Sequence, residues 1–346
     1  MRQLLVAFAI LSYFISPVQA KAYTAPPVPE EAREVMPQQT DSFARGLWEL
    51  AKAVTERLRP EISRAGKSCL SVLCICLILA LLQPLLGMEK RTADLCGAFG
   101  ISTVLLQPAS SMIHLAAQTI TRLTDYSKLL LPVMTGALAA QGGVTRSAAL
   151  YAGTAVLNAA AAAVNASFVV PLVYLYLTIS IANGVIGDDS LKRLRDLLRT
   201  CAGWILKTTI SLFTGYMGLT GIIQGSTDAV ALKAAKVTLS GAVPVVGGAL
   251  SNAADTVLAS AGLIKNAAGV YGMLAIFAIG LEPFLSIAIP YLLLRLTAGI
   301  SAVFATPRAS GLISEFASAL GLLLAITGTI SLLMLISTVC FMKGVG

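Results

Sequence analysis

Hydrophobic positions along this chain fall into long uncharged runs, separated by short charged clusters. The first run, Leu4 to Ile15, follows the basic start Met1-Arg2 and is followed by Val18-Gln19-Ala20, which has the small-x-small form of a cleavage site. Residues 1–20 are expected to be a signal peptide, the alternative being an uncleaved first span. Cleavage after Ala20 places Lys21 on the outer face of a membrane. Residues 21–40 are rich in Pro and Glu and read as a linker. From Phe43 the pattern changes: Phe43, Leu47, Leu50, Val54 and Leu58 recur at steps of three and four and form one apolar helix face. This amphipathic helix is expected to break at Pro60. It is open to lying on the outer leaflet, docking on a partner or packing on the chain's own membrane domain.

Beyond Lys67 the runs reach membrane-spanning length. Ser68–Met88 has 21 residues without a charge and Leu95–Thr121 has 27, against ~20 needed for one span. Leu129–Gln141 is apolar but short, a tilted span or a re-entrant piece. Residues 147–187 make 41 uncharged positions, enough for two spans turning near Asn165-Ala166-Ser167. Asp188–Cys201 carries Leu191, Leu194 and Leu198 on one side and Lys192, Arg193, Arg195 and Arg199 on the other. It reads as an interfacial helix on the cytoplasmic side. Trp204–Ile223 is a further span. Gly269–Ala305, punctuated by Pro283 and Pro290, reads as two spans or one broken pair. Gly311–Glu315 is expected to be a turn before a last span, Phe316–Met342.

The resulting expectation is an all-α polytopic membrane protein of about seven spans, with interfacial amphipathic helices and one broken or re-entrant segment. Residues 1–20 would be the signal peptide, 21–67 an external linker and helix, and 68–346 the membrane domain. Composition supports this class: 56% of the 346 residues are hydrophobic and 12% charged, about half the charge of a soluble chain. The net charge of +8 sits at span ends without aromatic interleaving, which fits membrane orientation and not nucleic-acid binding.

The unusual segment is SGAVPVVGGAL, residues 240–250. Gly241, Pro244, Gly247 and Gly248 interrupt an apolar stretch, and such backbone is tolerated at membrane depth only where protein or a water-filled cavity shelters it. It reads as a cavity or packing segment, or else as a hairpin loop dipping into the headgroups. Gly215, Gly218, Gly221 and Gly225 form a candidate helix-packing edge. Glu282 and Arg295 are candidate intramembrane charges, able to pair across a helix break or to sit near the headgroups.

Catalytic signatures are missing from the sequence. It has no HExxH, no GxSG, no GxGD and no GxxxxGK[ST] phosphate loop, so neither metal-, serine- or aspartate-dependent membrane proteolysis nor Walker-type ATP hydrolysis is expected. Six cysteines in or beside apolar runs read as inert thiols. The one histidine, His114, is expected to be satisfied in helix packing. No enzyme activity and no cofactor are expected.

Residues 236–272 (KVTLSGAVPVVGGALSNAADTVLASAGLIKNAAGVYG) resemble the most characteristic stretch of the stage III sporulation protein AE family, above all in VPVVGGALSNAADTVL. The signal, the amphipathic external segment and the polytopic remainder are similar too; the external part is shorter than the family's. The resemblance implies a sporulation function in the mother-cell membrane around the engulfed forespore. It implies partners as well: a secretion-type ATPase and ring-forming subunits encoded with it, and a forespore channel protein. Together these would form a transenvelope channel needed for forespore development. The resemblance supplies no catalytic residues. Two other readings remain open on the residues alone, a self-sufficient secondary transporter and a passive assembly scaffold.

Overall fold

A computed structural model describes residues 26–36, 43–140, 144–242 and 247–342, and over 218–267 it describes the backbone alone. The expected signal peptide and Pro244 lie outside the described residues. Among the described residues there is no strand. A short helix α1 (Glu30–Arg33) precedes α2 (Phe43–Leu85) and α3 (Lys90–Ala140). Helix α4 (Val144–Val164) runs through a π turn (Asn165–Val169) into α5 (Val170–Ile186). Then come α6 (Asp189–Ala242), α7 (Gly247–Ser301) and α8 (Pro307–Met342).

Among the described residues, five helical stretches are long and apolar enough to cross a membrane: Ala44–Leu85, Lys90–Ala140, Ser147–Ile186, Ala268–Ser301 and Pro307–Met342. The expectation of about seven counted several of these more than once, and it also included Trp204–Ile223, which lies within α6 and has described side chains only as far as residue 217. Pro60 does not break α2: it lies at an exposed position inside the continuous helix, where the Glu56 carbonyl is left without its N–H. Pro108 and Pro132 lie inside α3, so Leu129–Gln141 continues the preceding span and is no separate piece. The expected hairpin at Asn165-Ala166-Ser167 is likewise a single continuing helix. Pro171 has no N–H to offer the Ser167 carbonyl, and the widened π turn immediately before it absorbs the mismatch without reversing the chain. Pro283 and Pro290 are both inside α7, which is one helix and not two. Residues 311–315 belong to α8 instead of forming a turn.

These helices are tall. At 1.5 Å per residue, the 51 residues of α3 extend about 76 Å, against roughly 30 Å of hydrocarbon in a bilayer. Short connections join α2 to α3, α5 to α6 and α7 to α8, so the three pairs are antiparallel and their turns gather at one end. Two turns use glycine in the left-handed region, Gly87 (φ 61°) and Gly187 (φ 74°). The Gly187 N–H closes α5 on the Asn183 carbonyl at 2.8 Å, which ends the helix as a C-terminal glycine does. At the same end Asp94 of α3 pairs with Arg308 of α8 at 3.5 Å.

Helix α8 is the central column, packed against α3 to α7. Ile313, Phe316, Leu320, Leu323, Ile326, Ile330 and Phe341 recur at helical spacing and are buried. The upper half of α2 packs on α7, with Leu50, Val54 and Leu58 at 0–4% exposure. Of the three placements open to this amphipathic helix, packing on the chain's own bundle is the one observed.

Outward faces divide by height. On α2 below Lys67 they are apolar: Leu70, Leu77, Ile78, Leu81 and Leu85 are exposed. On α3 they are apolar at Phe99 and Leu106, then polar at Gln107, Ser111, His114 and Gln118. Lipid suits the first set and water the second.

Candidate functional site

The polar chemistry of the bundle lies mainly in two clusters, one at each end of its apolar middle. At the turn end Arg195 of α6 is 8% exposed and lies 3.0 Å from Glu315 of α8 and 2.8 Å from Asp196. Tyr176 of α5, fully buried, donates its hydroxyl to Glu315. Burial opposes the charge on Arg195. The hydrogen bond to Asp196 and the charge of Glu315 outweigh it and hold the guanidinium above its ordinary pKa. A cavity of about 320 Å³ opens beside the cluster, lined by Asn183, Gly187, Lys192, Arg195, Arg308 and Glu315. The three helices are thereby cross-linked by charge where their turns meet.

At the opposite end Arg57 of α2 pairs with Glu34, just after α1, and reaches Glu282 of α7 at 3.6 Å. Val28, Ala32 and Val35 of the N-terminal strap are buried here. A polar cavity of about 200 Å³ lies between Arg57, Arg122, Glu282 and Ser286. Arg57 therefore holds the strap, α2 and α7 together.

Glu282 and Arg295 do not pair. Thirteen positions of unbroken helix hold them about 20 Å apart. Glu282 takes Arg57, whereas the Arg295 guanidinium donates to Ser314 and Ser318 hydroxyls at 3.3 and 3.5 Å and lies 5.7 Å from the Tyr291 ring centre. Gly215 is exposed, and among the described residues nothing lies close to it. The surroundings of Gly218, Gly221 and Gly225 lie outside the described residues. The backbone is helical through Gly241 and Ala242 and again from Gly247 and Gly248, so those three glycines flank the end of α6 and the start of α7. Close packing occurs at Gly153 of α4, where an added Cβ would run into the Tyr216 ring of α6.

His114 is exposed, not packed inside, and its Nε2 lies 2.9 Å from Gln118 Nε2. All six cysteines are free, and among the described residues no group of three or more His, Cys, Asp or Glu side chains is arranged to hold a metal. In the core, Asn158 donates to Ser127 Oγ at 3.2 Å and to Met334 Sδ at 3.6 Å, linking α4, α3 and α8. The charge cluster at Arg195 escaped the sequence reading because its members are far apart along the chain. The available signal was Glu315, an acidic residue bordering the long apolar run of α8, opposite a strongly basic helix.

Comparison with known proteins adds what geometry cannot. No solved structure matches the chain. A relative from Bacillus subtilis (strain 168), "Stage III sporulation protein AE", is 26% identical over 266 residues, 75% of this chain and 66% of the relative. The chain thus matches just under two thirds of that relative's length. The family model for stage III sporulation protein AE matches residues 32–345, which takes in every helix from α2 to α8. The chain belongs to the stage III sporulation protein AE family.

Proposed function

We propose that this chain is a non-enzymatic membrane subunit of a channel or secretion-like complex between mother cell and forespore, required for forespore development. The family match over residues 32–345 carries the reading. Five helices of membrane-crossing length support it, since they suit a platform on which other subunits assemble. Its partners would be a secretion-type ATPase, ring-forming subunits and the forespore channel protein. It would lie in the mother-cell membrane around the forespore. In this reading Ser240–Leu250, which takes in the end of α6 and the start of α7, shapes part of a conduit.

The experiment is affinity purification of the tagged full-length chain from sporulating cells, with vegetative cells as control. Recovery of a secretion-type ATPase and ring-forming proteins only from sporulating cells is expected. Solute uptake by the purified chain alone in vesicles would favour the self-sufficient transporter and sink this reading.

A further inference from the structure

A cleft of about 350 Å³ opens between α2 and α3 and reaches inward to α7 and α8. Protein interiors are close-packed, so a gap of this size, at the lower end of ligand pockets, invites an occupant. Its mouth is polar: Glu61, Arg64, Lys67 and Ser68 on α2, Gln107 and Ser111 on α3. Its depth is apolar: Leu105, Ala109, Met112, Leu294, Phe316 and Leu320.

The height of the mouth says what that occupant is. On α2 the charged half ends at Lys67, and the run from Ser68 to Leu85 has no charge. On α3 the outward face changes from apolar to polar between Leu106 and Gln107. Two separate helices thus mark the same boundary between hydrocarbon and water, and both boundary positions line this cleft. Lipid headgroups lie at that level. Arg64 is paired with Glu61 at 2.7 Å, and Lys67 has no ion-pair partner among the described residues, so the mouth carries a surplus positive charge.

We propose that the cleft binds one anionic phospholipid, with its phosphate at Arg64 and Lys67 and part of an acyl chain between Leu105, Met112, Leu294 and Leu320. The lipid fills the junction of four helices and pins the base of the upper half of α2 to the column. This site goes beyond membership of a sporulation complex and does not rest on it, so the purified chain alone can test it.

The test uses full-length protein in nanodiscs with a phosphatidylglycerol bearing a photoreactive diazirine on its acyl chain, and the matching phosphatidylcholine as control. Cross-links are expected to concentrate in peptides holding residues 105–112, 290–294 and 316–320. R64Q/K67Q should lower the phosphatidylglycerol yield there about 30-fold, as the loss of about 1 kcal/mol of headgroup attraction from each residue would, and leave phosphatidylcholine unchanged. Ala109→Trp should abolish cleft labelling by either lipid; if that variant is not monodisperse, Leu294→Phe takes its place. Labelling no stronger in the cleft than at the outward residues Leu77, Leu81 and Phe99 would overturn the proposal. Equal cleft yields from the two lipids, or yields unmoved by R64Q/K67Q, would overturn it as well.

Discussion

Arg195 of α6 and Glu315 of α8 lie 3.0 Å apart with side chains only 10% and 19% exposed, although more than a hundred residues separate them in the chain. Such a pair adds little net stability when both members are present, because desolvation offsets most of the attraction. Its removal from one side is a different matter.

Glu315→Gln leaves the Arg195 guanidinium in a mostly dry site with only Asp196 for neutralisation, and is expected to cost about 3 kcal/mol. Thermal unfolding in detergent should show a clear drop in midpoint. The double variant R195M/E315L should lose much less than the sum of its two single changes. Additive losses would mean that the pair is not coupled.

At the other end, Arg57→Ala should free the N-terminal strap more than it destabilises the bundle. Glu34 is 71% exposed, so that ion pair is worth no more than about 1 kcal/mol. Limited proteolysis should cut within residues 26–42 faster in Arg57→Ala than in the parent, with the rest of the chain cut at the parent's rate. Val54→Asp, which places a charge at a fully buried position, should expose the whole upper half of α2.

Gly153 and Tyr216 set the approach of α4 to α6. Gly153→Ala places a methyl group inside the tyrosine ring, so either the ring or the helix must move. A destabilisation of about 1–3 kcal/mol is expected. In a double-mutant cycle with Tyr216→Ala, the coupling should be at least about 1 kcal/mol. A cycle that closes to zero would show that the two helices do not touch there.

Asn158→Leu removes hydrogen bonds to Ser127 and Met334 from the core. Interhelical polar contacts of this kind contribute about 0.6–2 kcal/mol in membrane proteins, so the loss should be modest, and Ser127→Ala should reproduce part of it.

Much of the architecture was legible in the chain because lipid and water demand opposite surfaces. The uncharged runs after Lys67, Asp94, Arg146 and Glu315 all lie in helices of spanning length. Continuity was not legible. Pro60, Pro283 and Pro290 read as breaks, yet each sits within a continuous helix. Asn165-Ala166-Ser167 looked like a reversal, because length alone does not distinguish two spans from one helix twice as tall. The candidate charges were found one at a time. Glu282 and Arg295 were identified as costly, but their partners, Arg57 on α2 and the Ser314 and Ser318 hydroxyls on α8, come from other helices and leave no trace in local spacing. The glycine edge is described at one of its four positions alone. Gly215 has the right residue type at the right step, but whether a neighbour approaches is decided by the opposite helix, which here meets Gly153.

The height of α3 has a mechanical corollary. Even inclined by 40°, a helix has only about 40 Å of its length within hydrocarbon, so some 35 Å of this one stands clear of the bilayer. A rod about 76 Å long is also a lever: rocking by about 5° at its membrane foot sweeps the far tip through about 6–7 Å. Small displacements near the Arg195 cluster can therefore arrive at the distal end magnified to the scale of a side chain.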